Sequence, residues 1–224
     1  MQKNKILVVE DHPIFRLGIS ELINQEEDLA VCGDAEDVHQ ALTEIDRLDP
    51  DLLVVDISLK HSDGIELVKE VTKSQKRLPV LILSMHDQFL YAERALHAGA
   101  RGYIMKQEAM ENVVTAIRQV LAGKIYLNEK VKDQILFNLA DRPAGNNRSP
   151  LDRLTDRELE VFRMIGKGFS TREIASKLHL SIKTIGTYRE RIKEKLNLKH
   201  ANELVRHAVH WEKTGEVPEE EPLP

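Results

Sequence analysis

Leu52-Leu53-Val54-Val55-Asp56 constrains the fold more than any other stretch of the chain. Four apolar residues in a row, with no polar alternation, form a strand only where both faces are covered, as in a parallel sheet flanked by helices. The run ends on an ionisable residue. Open parallel sheets place their ligand sites at the carboxyl ends of the strands. Asp56 therefore stands at the mouth of such a fold, unless it merely caps the turn that follows.

Other segments repeat the pattern. Lys5-Ile6-Leu7-Val8-Val9 ends in Glu10-Asp11, and Leu29-Ala30-Val31-Cys32 is a second short strand. Pro79-Val80-Leu81-Ile82-Leu83 ends at Ser84, and Tyr103-Ile104-Met105 ends at Lys106. Between these strands apolar residues recur at helical spacing, as in Ile14, Leu17 and Leu22, or Ile65, Val68 and Val71 after the Asp63-Gly64 turn. Strand and helix alternating over residues 1–125 predict an α/β domain with a doubly wound, five-stranded parallel sheet.

In such a sheet the strand ends share one edge, so Glu10, Asp11, Asp56, Ser84 and Lys106 converge. Clustered carboxylates repel one another unless a cation sits among them, and a hard, oxygen-seeking Mg²⁺ is the natural occupant. A metal-bound carboxylate beside a lysine and a hydroxyl is equipped to accept a phosphoryl group, because metal and lysine neutralise the transferring oxygens while the carboxylate attacks in line.

Charge divides the chain. Residues 1–150 hold 18 Lys and Arg against 24 Asp and Glu, whereas residues 151–213 hold 14 against 9. An acidic half followed by a basic half suggests two domains, the second facing a polyanion. The plainer reading of the basic half is an ordinary solvated surface. A single cysteine, Cys32, excludes an internal disulfide and a multi-cysteine metal site. No apolar run is long enough to span a membrane and no signal peptide precedes the first strand, so a cytoplasmic location is expected.

Val131, Ile135, Leu136 and Leu139 suggest an amphipathic helix within a linker over residues 126–150, whose end, from Asp141 to Pro150, is polar and rich in chain breakers. Thr155-Asp156-Arg157-Glu158 and Ser170-Thr171-Arg172-Glu173 are capping boxes, and Ser181 caps a third helix. The short connection through Leu178-His179-Leu180 gives the compactness of a helix-turn-helix, and a fourth helix runs from Ala201 to about Trp211. An all-α domain of four helices is thus expected over residues 151–213. On its third helix Ile185, Ile192 and Leu196 mark the core side. The opposite face carries Lys183, Gly186, Thr187, Glu190, Arg191 and Glu194, small and polar enough to approach base edges in a major groove. Arg189, Lys193 and Lys195 flank it as phosphate contacts. Residues 214–224 read as an acidic, disordered tail.

Val8-Val9-Glu10-Asp11-His12-Pro13, Val54-Val55-Asp56, Ser84 and Gly99-Ala100-Arg101-Gly102-Tyr103-Ile104-Met105-Lys106 resemble the receiver domain of two-component response regulators, a flavodoxin-like fold. The resemblance implies that Asp56 accepts a phosphoryl group from a sensor histidine kinase. It implies Mg²⁺ on Asp11, Asp56 and the backbone carbonyl of Ser58, with Glu10 contributing directly or through water. Lys106 would pair with the phosphoryl group, Ser84 would donate to it, and Tyr103 would swing inward as Ser84 moves. Three features depart from the common pattern: Glu10 stands where many receivers have Asp, Ser58-Leu59-Lys60-His61 replaces a Met-Pro turn, and Gln107 follows the lysine. His12 beside Asp11 reads as a solvated loop residue rather than a ligand.

Leu154-Thr155-Asp156-Arg157-Glu158-Leu159-Glu160-Val161, Gly168-Phe169-Ser170-Thr171-Arg172-Glu173-Ile174-Ala175 and Ser181-Ile182-Lys183-Thr184-Ile185 look like the LuxR-type DNA-binding domain, with Tyr188 where many members have His. Together the two resemblances imply the NarL/FixJ class: a phosphorylation-switched transcription regulator, not a metabolic enzyme. It would bind double-stranded DNA through Lys183, Thr184, Gly186, Thr187, Arg189, Glu190, Arg191 and Lys193. By position it would form a homodimer on DNA through Asn202, Val205, Arg206 and Val209. The alternative is a constitutive DNA binder whose receiver serves mainly for dimerisation. A phosphohydrolase is disfavoured because Ser58 stands where a general acid would be, and a ligand sensor because it needs an apolar pocket where residues 1–125 offer an acidic, metal-binding constellation and few aromatics.

Overall fold

β3 (Leu52–Asp56) is buried at all five positions and lies in the middle of a five-stranded parallel sheet. Its neighbours are β1 (Asn4–Val9) on one side and β6 (Val80–Ser84) on the other. Outside them lie β2 (Leu29–Ala35) and β7 (Gly102–Met105), giving the order β2-β1-β3-β6-β7. The computed structural model describes residues 3–59, 62–74, 78–85, 88–141, 150–178 and 180–214. The chain divides into two units, Met1–Pro143 and Ala144–Pro224.

In the first unit, α1 (Pro13–Asn24), α2 (Val38–Leu48), α3 (Gly64–Lys73), α4 (Gln88–Ala98) and α5 (Lys106–Leu121) connect the strands. One core cluster joins Ile6, Val8, Leu52, Val54, Leu81 and Ile104 of the sheet to Ile19 and Ile23 of α1 and to Val113 and Ile117 of α5. The order of the sheet reverses between β1 and β3. The crevice at their carboxyl ends is where this architecture binds ligands.

Local chemistry fixes the elements that frame the crevice. Asp63 caps α3 by accepting from the Ile65 amide at 2.9 Å. A Cβ on Gly64 would overlap the carbonyl oxygen of Asp56, so only glycine lets α3 begin directly beneath that residue. Two short strands, β4 (Ser58–Leu59) and β5 (Ser62–Asp63), pair antiparallel between Asp56 and α3. They are too short for any periodic signal. β2 runs beyond the apolar stretch to Ala35, accommodated by a register shift against Ile6 and Leu7 of β1.

The first unit extends beyond α5. Tyr126 forms a parallel bridge with Gly102 at the sheet edge, and α6 (Glu129–Asp141) packs on α4. Residues 126–141 of the expected linker are therefore docked on the sheet unit. Val131 is buried and Ile135 half-buried, whereas Leu136, placed on the same face by the sequence pattern, is 64% exposed. The side chain of Leu139, the linker residues 142–149, Lys60, His61 and His179 lie outside the described residues, as does the expected acidic tail from 215 onward.

The second unit opens with a 3₁₀ turn (Pro150–Arg153) and contains α7 (Asp156–Gly166), α8 (Thr171–Lys177), α9 (Ile182–Lys195) and α10 (Ala201–Thr214). Both capping boxes form: the Thr155 amide donates to Glu158 and the Ser170 amide to Glu173, each at 2.8 Å, with the reciprocal bonds at 3.3 Å. Leu159, Phe162, Ile165, Ile174, Ile185, Ile192 and Leu204 fill the core. A Cβ at Gly166 would come within 2.5 Å of the Ala208 carbonyl, which accounts for glycine where α7 meets α10. Among the described residues no helix is long and apolar enough to cross a membrane.

Candidate functional site

The five strand-end residues meet at the carboxyl edge of the sheet. Glu10 follows β1, Asp56 ends β3, Ser84 ends β6 and Lys106 opens α5; all four are buried. Lys106 Nζ donates to Asp56 Oδ2 at 2.8 Å and lies 2.6 Å from Glu10 Oε2. It also sits 4.7 Å above the centre of the Phe15 ring, a cation–π contact from the first turn of α1. The His12 amide donates to Glu10 Oε1 at 3.0 Å, and its imidazole, 72% exposed, places Nδ1 2.9 Å from Asp11 Oδ1.

One ammonium does not balance this set. Burial raises the pKa of Glu10, the Asp56 charge raises it further, and the contacts from Lys106 and the His12 amide do not reverse the sum. Burial works to lower the pKa of Lys106, but Asp56 and Glu10 together outweigh it and hold the ammonium charged. Ligand atoms of Glu10, Asp11, His12 and Asp56 lie within 4.8 Å of one another. Glu10 Oε2 and Asp11 Oδ1 are buried, and among the described residues no donor is aligned for a hydrogen bond to either, although Lys106 and His12 come within ion-pair distance. Three carboxylates against one lysine, with buried oxygens still wanting partners, fit a hard divalent cation.

Tyr103 is buried in β7, paired in register with Ile82 of β6. Its amide donates to the carbonyl of Tyr126 at 2.9 Å. Ser58 is half-buried in β4, opposite Asp63.

On α9, Ile185, Ile192 and Leu196 point into the core, and Lys183, Thr187, Glu190, Arg191 and Glu194 are exposed. Gly186 borders open space: a Cβ there would meet no atom within 4 Å. Thr184 and Arg189 are half-buried, and Thr184 is hydrogen-bonded to Ser181 at 2.8 Å. Lys193 pairs with Glu190 at 2.7 Å, which leaves Lys183 and Arg191 as exposed cations without an ion pair among the described residues. Lys195, read from charge alone as a phosphate contact, is instead bound to the buried carboxylate of Glu158 at 2.6 Å. Asn202, Val205, Arg206 and Val209 come together with His210 and Lys213 along a shallow depression on α10.

The family model described as "Response regulator receiver domain" matches residues 6–118, and the one described as "Bacterial regulatory proteins, luxR family" matches residues 152–208. Oxygen regulatory protein NreC of Staphylococcus carnosus is 33% identical over 209 residues, covering 92% of this chain and 96% of that protein. NreC of Staphylococcus epidermidis is 32% identical with the same coverage. Among solved structures, RcsB of Salmonella typhimurium is 28% identical with a TM-score of 0.54, covering 94% of this chain and 100% of the other. A complex of the response regulator RcsB with DNA is 26% identical, with a TM-score of 0.56, covering 95% and 100%. The chain belongs to the NarL/FixJ class of response regulators.

A response regulator of this class is a DNA-binding transcription regulator under phosphorylation control, and neither of its domains is a classical enzyme. The receiver's edge carries the acidic cluster, and receivers in general use Mg²⁺. Sequence reasoning overlooked several residues around the receiver and LuxR-type sites. Phe15 and Arg16 sit one turn beyond the acidic pair, and Glu158 was visible only as half of a capping box. Nothing local in the sequence signals that Lys195, 37 positions on, reaches it.

Proposed function

We propose that Asp56 is the phosphoacceptor and that its phosphorylation controls DNA binding by the LuxR-type domain. The reading is supported above all by the buried Asp56–Lys106 contact at 2.8 Å inside a cluster of unbalanced carboxylates. A carboxylate oxygen of Asp56 attacks the phosphorus of a kinase phosphohistidine; a P–O bond forms, the P–N bond breaks and the imidazole leaves. Glu10, Asp11, Asp56 and the backbone carbonyl of Ser58 would hold Mg²⁺, which supplies charge neutralisation on the phosphoryl oxygens. Lys106 holds the acceptor before transfer and the phosphoryl group afterwards, and Ser84 donates to it. Water then attacks the phosphorus, the Asp56 O–P bond breaks and inorganic phosphate leaves, which returns the free carboxylate. Ile14 and Leu17, 89% and 63% exposed on α1 beside the site, offer an apolar footing for the kinase.

The energetics suffice for a switch. A phosphoryl group adds about −1.5 to −2 charges. Lys106 is already paired with Asp56 before transfer, so the new interaction is the bond from Ser84 to the charged phosphoryl group, worth about 1.5–3 kcal/mol. That shifts the equilibrium toward a minor state by about 10- to 100-fold. Tyr103, buried in this structure, follows Ser84. On DNA, α9 enters the major groove with Lys183, Thr184, Gly186, Thr187, Arg189, Glu190, Arg191 and Lys193 facing bases and phosphates. Two copies associate through Asn202, Val205, Arg206 and Val209, reading half-sites about 10 base pairs apart or a multiple of that. The protein acts in the cytoplasm.

The test is selection of genomic fragments at one fixed salt concentration. The protein with Mg²⁺ and beryllofluoride is compared with the protein alone and with Asp56→Ala under both conditions. Enrichment of a two-fold-related motif that needs both the phosphoryl mimic and Asp56 is expected. Equal enrichment in every sample would leave a constitutive DNA binder.

A further inference from the structure

We propose that Arg16 is a positioning residue for Mg²⁺: it locks the backbone of Glu10 so that the Glu10 and Asp11 carboxylates are presented to one cation. The inference rests on the reading of these carboxylates as the metal site.

Arg16 lies on the first turns of α1, and its guanidinium gathers three acceptors from two parts of the chain, the ends of β1 and β2. Nη1 donates to the Glu10 carbonyl at 2.6 Å, Nε lies 3.1 Å from Asp34 Oδ2, and Nη2 donates to Glu36 Oε1 at 3.0 Å. Its side chain is 17% exposed, whereas Asp34 and Glu36 are half-solvated. The clamp therefore closes from the solvent side over the junction of β1 with α1.

Glu10 is fixed at every other point as well. Its amide donates to the Ala35 carbonyl at 2.9 Å, and its Oε1 accepts from the His12 amide at 3.0 Å. With the carbonyl held by Arg16 as well, the side chain extends from a fixed backbone to a carboxylate that meets the His12 amide at Oε1 and lies 2.6 Å from Lys106 at Oε2. That matters because a glutamate carries one more rotatable bond than an aspartate, and ordering it costs free energy that a fixed backbone reduces. Partners of ligands that set their direction are worth about tenfold or more in metal affinity.

Charge alone predicts the opposite effect. Arg16 is a cation within one residue contact of the acidic cluster, so by Coulomb repulsion it opposes the binding of another cation. The sign of the change on its removal separates positioning from simple electrostatics. A purely structural role would lower thermal stability and leave the Mg²⁺ dissociation constant where it was.

Arg16→Gln and Arg16→Lys are made in the full chain, and MgCl₂ binding is measured by titration calorimetry alongside the thermal midpoint without metal. Arg16→Gln is expected to weaken Mg²⁺ binding about tenfold. Arg16→Lys keeps the charge but not the planar fork that serves three acceptors, and is expected to fall between Gln and wild type. Should Arg16→Gln fail to fold, Arg16→Lys carries the test, since weaker binding at unchanged charge can come only from lost positioning. Tighter or unchanged Mg²⁺ binding in the folded variants would overturn the proposal. Absence of Mg²⁺ binding by the wild-type protein would overturn the metal site itself, with the proposal falling alongside it.

Discussion

Replacing Lys195 by Met should remove about 2 kcal/mol from the stability of the DNA-binding unit. Glu158 is 2% exposed, and its Oε2 accepts from the Thr155 amide at 2.8 Å and from Lys195 Nζ at 2.6 Å. Methionine keeps most of the lysine stem but leaves the buried carboxylate with one neutral donor. Breaking a fully buried pair by removing one partner costs about 3–5 kcal/mol, because the remaining charge is uncompensated. The Lys195 side chain is 35% exposed, so water already screens part of the interaction, and about half of that range applies. In a domain of this size about 2 kcal/mol lowers the melting temperature by about 10 °C. Trp211, the single tryptophan, lies against Phe162 with ring centres 5.9 Å apart. Its fluorescence in urea therefore reads this unit without interference from the receiver. Adding Glu158→Gln closes a double-mutant cycle, with an expected coupling of about 1–2 kcal/mol. A loss below about 0.5 kcal/mol for Lys195→Met would rank the pair with ordinary surface ion pairs. It would refute the reasoning and return Lys195 to the residues available to DNA.

Lys106→Met should weaken retention of beryllofluoride by about 2–3 kcal/mol, the value of a charged hydrogen bond, measured by fluorine NMR titration in Mg²⁺. Gly64→Ala should destabilise the receiver by about 2–4 kcal/mol, because the added methyl overlaps the Asp56 carbonyl; an unchanged far-UV unfolding curve would contradict the close approach. Hydrogen bonds from the Ser170 hydroxyl and amide hold the Glu173 carboxyl below its ordinary 4.5. A carboxyl depressed by folding stabilises above its unfolded value and loses that contribution as pH falls through the folded one. Ser170→Ala should therefore move the Glu173 titration, followed by carbon NMR, upward toward 4.5 and flatten the pH dependence of stability in that acid window.

What the sequence made legible, and what it hid, follows from the range over which each interaction acts. The uninterrupted run of β3 announced burial on both faces, and the polar residues closing four strands announced a shared edge, because both signals are local and repeat. The capping boxes were readable for the same reason, three residues apart with defined chemistry. The β4–β5 hairpin was not, since two-residue strands carry no periodicity. Leu136 was misplaced because it and Ile135 are adjacent, and neighbours on a helix stand about 100° apart; once Val131 turns inward, Ile135 follows it and Leu136 cannot. Lys195 reads as a phosphate contact because its charge is visible and its partner Glu158 is not. Arg16 likewise looks like any surface arginine until the end of β2 brings Asp34 and Glu36 alongside it.

On the reading of Asp56 as the phosphoacceptor, the way β7 is tied gives an event there a route out of the receiver. At its carboxyl end the strand runs directly into Lys106, which grips Asp56 at 2.8 Å. Along its outer edge the Tyr103 amide donates to the Tyr126 carbonyl, and the Tyr126 amide donates back to Arg101 at 3.0 Å. The strand is thus the last of the regular sheet, but its edge is covered by the segment that leads straight into α6, which itself packs on α4. Two backbone bonds contribute about 1 kcal/mol each. That is comparable with the about 1.5–3 kcal/mol of one new hydrogen bond to a phosphoryl group on the proposed acceptor Asp56, whereas unpairing β7 from β6 would break a whole buried ladder. A displacement of Tyr103 is therefore relieved most cheaply on the outer side, at residues 124–127, and the path of least resistance from the site runs toward α6 rather than into the core.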